Sequence, residues 1–376
     1  MKSPIWIAVL AWAVSPPAFA RAGSDDARPV PPPADPASLL PPEYRPAVLA
    51  RLARAGDNAG SLAAAIGEAP PAQRAAVGFL VANMPDRDLK GLGKDYLLAN
   101  VRLAYLAREA TPWAAKVPEE LFFEAVLPYA SVNERRDDWR RDFFDRFLAL
   151  AKDSATPGEA ARKLNVEVFR AFKVAYHATR RPKPDQSPYE SIDAGYASCT
   201  GLSILLIDAC RAVGIPARLV GTPRWADNSG NHTWVEVWDR EWSFVGACEP
   251  GPLNQGWFVG QAAKADESRP LHRIYATSFR EAEDYFPMVW RPDLRDVPAE
   301  DVTRRYTLRR KVTFRFAGPA EVTVRRLGRI VAHDHAATDS ATFELAGNLP
   351  YEVTLGKATP KTIKVTADPD QVIDLR

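Results

Sequence analysis

The 376-residue sequence predicts an α+β chain in three parts: a helical N-terminal region, a middle in which a helix packs on an antiparallel sheet, and a small C-terminal β-sandwich. Three observations carry this reading. Apolar residues recur at helical spacing between about residues 47 and 180. The middle sets one strong helix before three β-like runs, and beyond about Val302 the apolar period changes to two. At this length two or three domains are expected.

In chain order, Lys2 precedes an apolar run from Ile5 to Val14, Pro16 and Pro17 follow, and Ala18-Phe19-Ala20 supplies a small-x-small cleavage pattern. Residues 1–20 therefore read as a secretory signal peptide cut near Ala20, which places the protein in the periplasm or outside the cell. The run falls short of the roughly 20 residues that span a bilayer, and no later segment qualifies. Residues 21–46 are rich in Pro, Ala and Asp and read as an extended linker. Residues 47–155 read as a helical domain, on stripes such as Leu97, Val101, Leu103 and Leu106. Residues 156–298 form the predicted core, opened by Thr156-Pro157-Gly158-Glu159, a capping box with Pro at the first helical position. Residues 299–376 read as the sandwich, in five to seven short strands.

Lys plus Arg is 49 against Asp plus Glu 47, a net charge of +2, so no field of one sign is available to hold nucleic acid or an anionic membrane. Apolar residues at 46% and charged residues at 26% describe an ordinary globular chain. Neither composition nor pattern fixes the oligomeric state.

The chemistry concentrates after residue 180. A helix begins after Ser198, with Leu202, Leu205, Leu206, Ala209 and Val213 on one face, and Gly214 and Pro216 end it. Cys199 lies in its first turn, where unpaired N–H groups and the helix dipole favour a thiolate. Runs at 217–221, 232–238 and 242–246 read as strands, the last two joined by Asp239-Arg240-Glu241. His232 opens the second strand, so a thiol on a helix and an imidazole on the adjoining sheet are candidates for nucleophile and base.

These residues resemble the transglutaminase-like core, a circularly rearranged relative of the papain-type thiol fold. The likeness rests on three blocks within residues 189–258: Ser198-Cys199-Thr200-Gly201-Leu202-Ser203, Gly214-Ile215-Pro216-Ala217-Arg218, and Asn231-His232-Thr233-Trp234-Val235-Glu236-Val237-Trp238. It is similar to exported bacterial proteins built on that core. The resemblance implies a triad completed by an Asp before a Pro, just past the strand that follows the histidine. Gly246 occupies that position here, and the nearest acid-Pro pair is Glu249-Pro250. Glu249 is the candidate third member, which needs a three-residue bulge to reach the imidazole; a glutamate can orient a histidine as an aspartate does. Asp239, in the hairpin turn, lies about 20 Å along the strand from His232.

The Cys199 N–H is the expected first oxyanion donor, Gln186 a candidate second, and Tyr196 and Trp234 candidates to line a substrate cleft, with Tyr189 and Trp257 nearby. Cys210 lies eleven residues, about 16 Å, along the helix from Cys199 and reads as a core thiol. If Glu249 reaches His232, Cys248 comes near Cys199, and an inhibitory disulfide between the two becomes a hypothesis. His333-Asp334-His335 reads as a solvated loop, and no metal or cofactor is expected. Two readings of function follow. The first is an exported thiol enzyme acting on a peptide or protein through a Cys199 thioester, with His232 as base. Water would make it a peptidase or amidase and an amine a crosslinker; hydrolysis is favoured because water is always available. The second is an inactive exported binding module on the same core, motivated by the missing aspartate.

Overall fold

The computed structural model describes residues 35–347, 349–365 and 370–376. The expected signal peptide and most of the expected linker lie outside the described residues. The linker ends earlier than residue 46, because Asp35 caps a 3₁₀ turn at Pro36–Leu39, and Ala37 and Leu40 are buried.

Helices α1 (Arg45–Arg54), α2 (Ala59–Glu68), α3 (Arg74–Asn83), α4 (Asp86–Gly91), α5 (Lys94–Glu109) and α6 (Glu119–Ala125) share one apolar core built on Leu62, Phe79, Val101 and Phe122. A second core joins α7 (Arg140–Lys152), α8 (Pro157–Phe172), α9 (Pro188–Ala194) and α10 (Cys199–Ala212). Phe143 and Phe147 of α7 lie in this second core, so the central part starts before the expected boundary at 155. α10 was expected to bury one face; every residue after Cys199 is buried, which makes it the central helix of the molecule. The reciprocal capping box lies at Ser187 and Glu190, opening α9, whereas the Glu159 side chain accepts from Ala155 rather than from the cap residue Thr156.

Two short parallel strands, β1 (Ala175–Tyr176) and β2 (Tyr196–Ala197), flank α9. The main sheet is antiparallel: β3 (Ala217–Thr222), β4 (His232–Asp239), β5 (Glu241–Val245), β6 (Tyr275–Thr277), β7 (Asp284–Tyr285) and β8 (Pro298–Asp301), in the order β5-β4-β3-β6-β8-β7. The short helices α11 (Val259–Ala262) and α12 (Thr303–Tyr306) cover its second face, where Trp225, Trp234 and Phe258 form a separate aromatic core. β8 lies inside the sheet, and Tyr306 packs on Trp234 at 5.3 Å between ring centroids. The central part therefore runs to about residue 306, not 298.

Two buried arginines tie the helical layer to the core. Arg140 Nε donates to Asn100 Oδ1 at 2.7 Å, and its Nη atoms donate to the carbonyls of Arg211, Val126, Leu127 and Pro128. Arg211, on α10, donates to the carbonyls of Ala125, Pro128, Ala130 and Ala217. Together they satisfy backbone acceptors of a segment after α6 that has no ladder of its own.

Among the described residues, the C-terminal part is a sandwich of seven strands: β9 (Arg309–Arg315), β10 (Ala320–Arg326), β11 (Arg329–Ala336), β12 (Ser340–Ala346), β13 (Pro350–Leu355), β14 (Lys361–Lys364) and β15 (Gln371–Asp374). Sheets β11-β10-β13-β14 and β12-β9-β15 enclose Val312, Phe314, Val322, Val324 and Val353. The fold is α+β as the sequence implies. Among the described residues, no helix is long and apolar enough to cross a membrane.

Candidate active site

Cys199 is the first residue of α10. Ser198 before it is extended, and its Oγ accepts from the Gly201 N–H at 3.1 Å while donating to the Pro184 carbonyl at 2.6 Å. The cap fixes where the helix starts and leaves the N–H groups of its first residues directed out of the helix end. Thr200 and Thr233 join hydroxyls at 3.1 Å, fastening the start of α10 to the residue after His232. His232 opens β4 opposite Thr222. A cavity of about 260 Å³ has Cys199, Leu202, His232 and Thr233 in its walls, with Tyr176, Ala247, Cys248, Glu249 and Trp257 completing them. The structure thus brings Cys199, His232 and Glu249 to one cavity.

The imidazole is 7% exposed and lies among aromatic rings: Trp257 at 4.8 Å, Phe258 at 5.1 Å and Trp234 at 5.8 Å between centroids. Its buried Nε2 has no hydrogen-bond partner among the described residues. Burial among apolar groups penalises the cation and pushes His232 down to about 4. The ring is consequently neutral at physiological pH.

Glu249 does not bond to the imidazole. Its Oε1 accepts from Trp257 Nε1 at 3.0 Å, and burial raises its carboxyl above the usual range. The carboxyl does lie over Gly246: a Cβ there would sit 2.6 Å from Glu249 Cδ. The turn from Gly246 to Glu249, with Cys248 at φ +65°, therefore puts an acid into the space a side chain at 246 would occupy. The carboxylate placed to complete the triad is bonded through Oε1 to the Trp257 indole instead.

Asn165 of α8 holds that turn. Its Nδ2 donates to the carbonyls of Gly246 and Glu249, each at 2.9 Å, and its Oδ1 accepts from the Cys248 N–H at 2.8 Å. Sequence reasoning missed it, since a lone Asn on a helix carries no signal until the turn is seen. Asn165→Leu keeps a branched side chain of the same length and removes three hydrogen bonds, one of them buried, so unfolding free energy should fall by about 2–4 kcal/mol in chemical denaturation. An unchanged denaturation midpoint would show the turn holds itself.

The remaining sequence-derived candidates are corrected. Trp234 is 0% exposed, stacks on Trp225 at 6.2 Å and donates to Tyr306 Oη at 2.9 Å, so it is core and cannot touch a substrate. Gln186 is buried, and its Nε2 donates to the carbonyls of Tyr196 and Glu190, leaving no donor for an oxyanion. Tyr196 packs under Arg180 and against His177, and does not line the cavity. Tyr176, 59% exposed on the partner strand, takes the mouth position with Trp257, 63% exposed. Cys199, Cys210 and Cys248 are all free thiols. Cys199 and Cys248 share the cavity without bonding, and Cys210 is fully buried, which pushes its thiol up.

A larger open cleft of about 930 Å³ lies between α1, α4 and the 281–298 segment, but it holds no cysteine or histidine. Its arginines Arg51, Arg54 and Arg87 are paired with Asp86 and Asp296.

The depressed His232 value has a direct readout. Because the folded value lies below the ordinary 6.5, the unfolded chain binds more protons between about pH 4 and 6.5. His232 therefore makes stability rise with pH across that window. In an NMR titration of ring-labelled protein, assigned with His232→Gln, the His232 signal should move near pH 4. In Trp257→Phe, which frees the Glu249 oxygen and keeps a ring, it should move upward. A midpoint near 6.5 in the unaltered protein would contradict the burial argument.

Residues 146–259 match the family model described as the transglutaminase-like superfamily. They run from α7 into α11 and contain Cys199, His232 and Glu249. Among solved structures, a candidate cysteine protease from Cytophaga hutchinsonii is similar at 17% identity and a TM-score of 0.29, over 38% of this chain and 47% of that one. Red sea bream transglutaminase is similar at 12% identity and a TM-score of 0.29, over 61% of this chain and 58% of that one. The chain thus spans about half the length of each. No match was found among curated proteins.

Proposed function

We propose that this chain is an exported thiol enzyme that forms a Cys199 thioester from a carboxamide or peptide carbonyl. The observation that carries the reading is the shared cavity: a thiol at a helix start and a neutral imidazole at a strand start open onto the same 260 Å³. His232 accepts the thiol proton as sulfur bonds to the carbonyl carbon, then returns it to the leaving amine as the C–N bond breaks. Water attacks the thioester, its proton passes to the imidazole, and the carboxylic acid leaves as the thiol is restored. An amine in place of water would give a crosslink by the same steps. Hydrolysis is preferred, since water is always available. The exposed rings of Tyr176 and Trp257 flank the cavity. Export rests on the segment up to Ala20, outside the described residues.

The unpartnered Nε2 and the commitment of Glu249 to Trp257 favour the second reading, a binding module that has lost turnover. Iodoacetamide labelling of Cys199 followed against pH separates them. A reactive thiolate well below the free-thiol value of about 8.5 supports the enzyme, and a free-cysteine profile supports the module. Dansyl-amine with casein, run beside a peptide-cleavage library, then decides the acceptor: incorporation overturns the hydrolase preference. No reaction in either assay, with Cys199→Ala giving the same blank, overturns catalysis.

A further inference from the structure

The register of the β10–β11 hairpin gathers three metal-ligating side chains that the sequence separates. Glu321 of β10 pairs with His335 of β11, and His333 lies two residues away, opposite Thr323. Side chains alternate across a strand, so Glu321, His333 and His335 emerge on one face, opposite to the one on which Val322 and Val324 enter the sandwich core. His333-Asp334-His335, expected in a loop, lie within β11, and Asp334, opposite Val322, is on the other face and takes no part.

From this cross-strand juxtaposition we propose that Glu321, His333 and His335 form a site for a borderline divalent transition ion, of which Zn²⁺ is the type. One donor atom from each residue lies within 4.8 Å of the others, and His333 Nε2 is already 3.0 Å from Glu321 Oε1. The two imidazoles meet edge to face at 4.8 Å between centroids. Donors around a tetrahedral Zn²⁺ at about 2.1 Å stand about 3.4 Å apart, so the set must contract by about 1.4 Å. All three side chains are exposed and can rotate to do so. Two imidazoles with one carboxylate select Zn²⁺, Ni²⁺ or Cu²⁺ over Mg²⁺ and Ca²⁺, which prefer all-oxygen sets. Three protein donors leave a position open to water or to a donor from another molecule. β11 is the edge strand of its sheet, and the ion would fasten it to β10.

Titration of ZnCl₂ alone into the full chain tests this, in a Cys199→Ser, Cys248→Ser background that removes thiol binding. One Zn²⁺ per chain should bind. Glu321→Ala, His333→Ala and His335→Ala should each weaken it at least tenfold, and Asp334→Ala should leave it unchanged. Co²⁺ should give the visible absorption of a four- or five-coordinate ion, and the melting temperature should rise with Zn²⁺ concentration only while the three ligands are intact. Absence of binding below about 100 µM, binding untouched by the three substitutions, or equal competition by Mg²⁺ or Ca²⁺ would overturn the proposal. Each readout is independent of activity at Cys199.

Discussion

Cys199→Ala is expected to abolish acyl transfer and hydrolysis alike, by at least about 10⁴-fold in kcat. The protein should stay folded, because Cys199 is only half buried at the cavity wall and the helix start is set by Ser198 and by the Thr200–Thr233 pair. His232→Ala should lose comparable activity, and the double variant little more, since nucleophile and base act as one unit. Rates with a peptide or carboxamide substrate, measured beside a circular dichroism melt, check the set. Activity retained in Cys199→Ala would move the chemistry elsewhere on the molecule.

Arg140→Ala carries the largest expected effect on stability. The guanidinium is buried and serves Asn100 and four main-chain carbonyls at 2.7–3.1 Å, spanning α5, the segment after α6, and the end of α10. Truncation strands those acceptors away from water and leaves a void beside Trp139, over whose ring the guanidinium lies at 4.5 Å. A loss of about 3–5 kcal/mol is expected, or roughly 10 °C in thermal midpoint. A shift below 2 °C would mean that water enters and replaces the bonds.

What the sequence made legible was whatever has a local cause. Thr156-Pro157 and Ser198 announce helix starts because caps act within three residues. The hairpin through Asp239-Arg240-Glu241 follows from alternation, and Gly246 stands out by the side chain it lacks. What was hidden depends on partners distant in the chain. Trp234 and Gln186 looked available because burial is settled by α12 and by the carbonyls of Tyr196 and Glu190. Glu249 was found in the right turn, yet its bond to Trp257 could not be read from spacing. Glu321 joined the two histidines only through strand register. The boundary at 298 failed because Pro298-Ala299-Glu300-Asp301 has no apolar alternation to mark it as a strand.

The hydroxyl of Tyr306 bonds both the Trp234 indole, at 2.9 Å, and the Glu236 carboxylate, at 2.8 Å. Three residues later the sandwich begins. A shortened protein that ends at the last interior strand would thus lose the prop behind the aromatic wall of the imidazole. One that keeps residues through 307 retains it, and loses with the appended module the Arg326 and Arg309 partners of Asp266 and Glu267. Tension applied to that module would be shared between this tyrosine and the Arg326–Asp266 and Arg309–Glu267 pairs, which also join it to the central part.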